Sequence, residues 1–98
     1  MAEANLQHVL LIDDEEGIRK VMSIALRDAG YVVWIAQSGE QGLEIFRREM
    51  PALVITDIKM PGMDGIEVLR RIKELKSILH QVQAVSDAHE ELAISALH

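Results

Sequence analysis

Apolar positions along this chain change their period in a regular way. Val9, Leu10, Leu11 and Ile12 form an unbroken apolar run that ends in acids. Such a run suits a strand buried on both faces of a parallel sheet. A helical pattern follows, with Ile18, Val21, Met22, Ala25, Leu26 and Ala29 at three- and four-residue spacing. Arg19, Lys20, Arg27 and Asp28 fall between them. Gly30 is a natural terminator. A second strand is predicted through Tyr31–Ala36, and Ser38 with Gln41 predicts a capping box for the next helix. That helix turns Leu43 and Phe46 inward and stops at Pro51. A third strand runs over 52–56 and closes on Asp57, before a loop, 59–65, that carries both proline and glycine breakers. From Gly65 a further helix places Ile66, Leu69 and Ile72 on one side, and Glu67, Arg70, Arg71 and Lys73 on the other.

Alternating strands and helices with short connections predict a parallel sheet with helices on both faces. In such sheets a ligand site lies beyond the carboxyl ends of the strands. Asp13 and Asp14 follow the first strand and Asp57 ends the third. If these strands are neighbours, three carboxylates converge. Close like charges raise one another's pKa unless a cation neutralises them. An incomplete set of oxygen ligands suits Mg²⁺, which keeps waters and recruits phosphate oxygens. A carboxylate beside that ion can attack phosphorus and form an aspartyl phosphate. The plain alternative is that paired acids merely begin a helix, as Glu15 and Glu16 do, and that an aspartate merely ends a strand as a turn residue. The combination of both acids, Asp57 and the Pro-Gly loop is what makes the pattern specific.

Composition narrows the classes. The chain has 98 residues, a formal charge of -6 and 49% apolar residues, which fits one folded domain over 1–98 and excludes a disordered chain. It has no cysteine, so disulfides, thiol nucleophiles and Cys-ligated metals are excluded. The acidic balance argues against nucleic-acid and anionic-membrane surfaces. No run approaches the ~20 apolar residues of a membrane span. Met1–Asn5 lacks a signal-peptide pattern, so a cytoplasmic location is expected.

Residues 6–72 resemble a two-component response-regulator receiver domain. The resemblance is carried by Leu10-Leu11-Ile12-Asp13-Asp14-Glu15 and by the segment from Asp57 through Pro61-Gly62-Met63-Asp64-Gly65 to Leu69. It implies a flavodoxin-like sheet of strand order 2-1-3-4-5, here 2-1-3-4 with the fifth strand absent. Asp57 would be the phosphoacceptor, phosphorylated by a partner histidine kinase or phosphotransfer protein. Asp14 would bind Mg²⁺ directly, Asp13 directly or through water, and Lys59 through its backbone carbonyl. Such a module assists its own phosphorylation and turns over no separate substrate. Haloacid-dehalogenase-like phosphatases need a second aspartate where Lys59 stands. No P-loop or G-x-G-x-x-G is present.

The family's switch hydroxyl falls at Ser86, for which a plain exposed serine is the alternative. Its lysine after the fifth strand has no counterpart, since the last basic residue is Lys76. Two readings of 77–98 stand open. One is a fourth strand over 81–85 followed by a helix that Asp87 and Glu90 cap. The other is a continuous helix from 66, about 33 residues and ~50 Å long, with Leu75, Ile78, Val82, Val85, His89, Leu92 and Ala96 as a dimerising seam. The strand–helix reading is preferred. Both predict a homodimer, and a truncated dimerisation module without a phosphorylation cycle is the alternative function. The four histidines are scattered, Trp34 and Phe46 belong to the core, and Met60 and Met63 pack the loop.

Overall fold

The computed structural model describes residues 7–75 and, as backbone, 81–86 and 91–96. Strand β1 spans His8–Ile12, helix α1 Glu16–Asp28, β2 Val32–Ala36, α2 Gly39–Glu49, β3 Leu53–Asp57 and α3 Gly65–Leu75. β1 is central, with β2 and β3 parallel on either side, Leu10 opposite Trp34 and Val54, and Ile12 opposite Ala36 and Thr56. The unbroken apolar run explains this place. Val9, Leu10, Leu11 and Ile12 are all fully buried, because both faces of β1 are covered.

One face packs on α2 and α3 through Leu10, Ile12, Leu43, Phe46, Val54, Val68, Leu69 and Ile72. The other meets α1 through Val9, Leu11, Val33 and Ile55, with Met22 and Leu26 laid over them. The helix ends follow their local chemistry. Ser38 Oγ accepts from the Gln41 amide at 3.1 Å, as expected of an N-cap. Gln41 Oε1 accepts from the Gln37 amide at 2.7 Å, one residue before the cap, so the reciprocal half of the expected box is displaced. Gly30 lies at φ 99°, past the end of α1, a conformation that glycine adopts without strain.

The C-terminal part differs from both expectations. Strand β4, Gln81–Ser86, is present, but Glu91–Ala96 is a strand, β5, and not a helix. The sheet order is β2-β1-β3-β5-β4. β5 runs antiparallel to both β3 and β4. β4 is therefore parallel to β3 after the α3 crossover, but one strand position further out, and β5 returns into the gap. This corrects the order 2-1-3-4 beyond its first three strands, and it excludes one continuous helix over 66–98. Two physical facts favour the hairpin. Antiparallel strands need only the short connection 87–90, whereas a parallel neighbour needs a long crossover. Leu92 and Ile94 also alternate with Glu91, Ala93 and Ser95, a period-two pattern that a few residues of three–four spacing can mimic. The proposed cap at Asp87 and Glu90 lies outside the described residues, as do His80, His89 and His98.

Candidate acidic site at the carboxyl edge of the sheet

Because Ile12 lies opposite Thr56, the residues that follow them, Asp13 and Asp57, emerge level at the same edge. Asp14 joins them, and carboxylate oxygens of the three lie within 4.8 Å of one another. Their surroundings differ. Asp13 is fully buried, Asp57 half-buried and Asp14 exposed. Asp13 Oδ1 accepts from the Glu15 amide at 2.9 Å. Asp57 Oδ1 accepts from the Lys59 amide at 3.3 Å. Asp13 Oδ2 is buried and has no hydrogen-bond partner. A buried carboxylate oxygen without a donor is costly unless something positive completes it.

Electrostatics agree with that reading. Burial pushes the Asp13 carboxyl above its usual pKa. The Glu15 amide opposes the shift, and the charges of Asp57, Asp14 and Glu15 add to it. Asp57 is also raised, again first by burial, with the Lys59 amide opposing and Asp14 adding. The three acids thus make a focus of negative potential that a divalent cation would relieve. Oxygen-only donors at an open edge fit Mg²⁺.

The loop after β3 is held from behind. The Gly65 amide donates to the Ile58 carbonyl at 2.8 Å. A methyl group at Gly65 would collide with the Asp57 carbonyl, so α3 begins against the backbone of Asp57 with no room for a side chain. Met60 is buried in the α2/α3 core, in agreement with its expected packing role, and Met63 packs beside it. Thr56 is buried and its Oγ1 donates to the Asp57 carbonyl at 3.0 Å.

Ser86 ends β4 at this same edge, since β4 and β3 are parallel, but β5 lies between them. Its register partner is Glu91, while Asp57 pairs with Leu92. The expected solvated face of α3 is as described, with Arg70 and Arg71 both ion-paired to Glu67. The spacing of apolar residues did not single out Arg19. It looked like part of the polar face of α1, yet its Nη1 donates to the Asp13 main-chain carbonyl at 2.8 Å. A cation within two turns of an acid pair was the only available signal.

Three parallel strands, β2-β1-β3, with helices on both faces and three acids at their carboxyl edge define a flavodoxin-like domain with an acidic site. The chain matches the response regulator receiver domain family over residues 9–98, and it belongs to that family. It is 43% identical over 67 residues to sporulation initiation phosphotransferase F of Bacillus subtilis, covering 68% of this chain and 54% of that protein. It is 43% identical over 65 residues to the transcriptional regulatory protein AfsQ1 of Streptomyces coelicolor, covering 66% of this chain and 29% of that one. The chain therefore spans about half, or less, of these relatives. Among solved structures, a response regulator receiver domain protein from Clostridium thermocellum superposes with a TM-score of 0.71 at 38% identity, over 74% of this chain and 59% of that one. The response regulator TrrA from Thermotoga maritima, solved in complex with Mg(2+)-BeF, gives 0.70 at 38% identity, over 72% and 62%. Receiver domains are signalling modules of two-component systems. Among the described residues, no helix is long and apolar enough to cross a membrane.

Proposed function

We propose that the chain is a single receiver domain that accepts a phosphoryl group on Asp57, in a Mg²⁺-dependent reaction, from a phosphohistidine of a partner histidine kinase or phosphotransfer protein. The observation that carries this reading is the buried, unpartnered Asp13 Oδ2 within a cluster of three carboxylates. Asp13 and Asp14 would hold the ion with Asp57, and the Lys59 carbonyl would complete the protein's share. When bound, the ion supplies positive charge to offset that of the acids and of the incoming phosphoryl oxygens. The Lys59 amide holds Asp57 Oδ1, and a carboxylate oxygen of Asp57 would be the nucleophile. That oxygen forms a bond to phosphorus as the P–N bond of the donor breaks. The electron pair stays on the imidazole nitrogen, and the product is an acyl phosphate. Added charge at the strand end then biases the surrounding loops. Ser86 stands as the proposed switch hydroxyl, on a strand one position further from β3 than the resemblance implies. The similar proteins, a sporulation initiation phosphotransferase and a transcriptional regulatory protein, and the Mg(2+)-BeF complex of a similar structure support this reading. A cytoplasmic setting fits it.

Intact mass after incubation with a small phosphodonor and Mg²⁺ tests it. The parent should gain one phosphoryl group, dependent on the ion, and Asp57→Asn should gain none. A folded parent that binds Mg²⁺ and stays unmodified would favour the second reading, a receiver-like association module. The exposure of Val21 (68%) and Ile24 (56%) on α1 keeps that reading in view. Either way a homodimer is expected, and light scattering that finds a folded monomer at micromolar concentration would count against it.

A further inference from the structure

Asp13 is tied at every polar atom but one. Its amide donates to the Ala36 carbonyl at 3.1 Å. Its Oδ1 accepts from the Glu15 amide at 2.9 Å. Its main-chain carbonyl accepts from Arg19 Nη1 at 2.8 Å. Oδ2 alone is left, buried and without a partner. The first two ties end on backbone. The third is the one tie that another residue's side chain supplies, reaching back six positions from the first turn of α1. The carbonyl it grips belongs to the peptide that joins Asp13 to Asp14, so its direction sets how Asp14 leaves the strand. A charge-assisted bond from a half-buried guanidinium fixes that direction more firmly than a neutral donor would.

We propose that Arg19 is a positioning residue. Through the Asp13 carbonyl, its guanidinium holds the acid pair in the arrangement that leaves Asp13 Oδ2 open to a divalent cation. This inference rests on reading the cluster as a Mg²⁺ site. Simple electrostatics argues the opposite effect. A fixed positive charge beside the acids repels an incoming cation, so its removal should tighten binding. If Arg19 is a mere neighbouring charge, its loss helps Mg²⁺. If it positions the ligands, its loss hurts, as loss of outer-shell partners does at other metal sites.

The full chain is therefore compared with Arg19→Met and Arg19→Lys by two measurements. The first is Mg²⁺ affinity by titration calorimetry at fixed ionic strength. Arg19→Met should bind about tenfold more weakly. Unchanged or tighter binding overturns the proposal. Arg19→Lys keeps a donor and should recover part of the loss, and a Lys variant no better than Met also overturns it. The second measurement is hydrogen exchange of the Glu15 amide in metal-free protein. It should quicken in Arg19→Met, because Asp13 Oδ1 is no longer held in place. Unchanged exchange overturns the proposal whether or not the parent binds Mg²⁺. A parent that binds no Mg²⁺ would by itself sink the metal-site reading, so the two failures are distinct.

Discussion

The two faces of the sheet are covered very differently. On the α2/α3 face, Leu10, Ile12, Phe46, Val54, Val68 and Ile72 are completely buried. Glycine brings α2 close: a methyl group at Gly42 would collide with Ile12, and one at Gly39 would lie 2.7 Å from Val68 Cγ2. On the α1 face Val9 and Leu11 are equally buried, but the helix that covers them is itself largely exposed. Ser23 is the only buried residue of α1, while Val21 and Ile24 face outward. Yet α1 and α3 both carry apolar residues at the same helical spacing. Periodicity tells which side of a helix is apolar, but the partner decides how much of that side is buried. The site hangs from β1 and β3, so the sealed face does most to fix its geometry.

That contrast can be broken by experiment. Phe46→Ala should be the most damaging change, about 3–5 kcal/mol by urea denaturation, because it hollows the sealed face. A smaller loss would mean that this face can collapse around a void. Gly65→Ala comes next, at roughly 1–3 kcal/mol of overpacking, as α3 is forced away from the Asp57 carbonyl. Asp57 phosphorylation should fall with it, and a variant with parent stability and labelling would refute the close fit.

Asp13→Asn probes the edge between the faces. The folded pKa of Asp13 is raised, so its contribution to stability is full at low pH, below the unfolded value. It is lost as pH rises through the higher folded value. In metal-free neutral buffer the Asn variant should therefore melt above the parent, and the difference should vanish in acid. Mg²⁺ at a hundred times its Kd should add about 2.7 kcal/mol to the parent alone and reverse the order. A variant that melts below the parent at neutral pH without metal would contradict the sign. The smallest effect is expected at Val21→Ala, within about 0.5 kcal/mol. A large loss there would show that the α1 face is covered in solution.

Much of this molecule was legible in its sequence, for identifiable reasons. The continuous run from Val9 to Ile12 suits a doubly covered strand, and β1 lies at the centre of its parallel neighbours. The convergence of Asp13, Asp14 and Asp57 followed on the condition that their strands are neighbours, which the β1–β3 pairing meets. After α3 the strand over 81–86 was legible, but the strand character of 91–96 was not, because its short apolar run satisfies both periods. Pairing partners, which periodicity does not encode, decide between them. Ser86 shows the consequence, since its edge was foreseen but the intervening strand was not. The grip of Arg19 on Asp13 was hidden for a related reason. A side chain that reaches back onto backbone leaves no mark on the spacing of apolar residues.

Trp34 gives the chain an optical property of its own. It is the only tryptophan, half-buried on β2, with its ring 6.5 Å from that of His8 and its indole nitrogen unpartnered. Two residues further on, the carbonyl of Ala36 takes the amide of Asp13. Excited at wavelengths that Tyr31 and Phe46 do not absorb, the molecule therefore emits from a single fluorophore, on the strand that is hydrogen-bonded to the acid pair. A cation that settles on those acids is expected to shift that emission, which can be read without a dye.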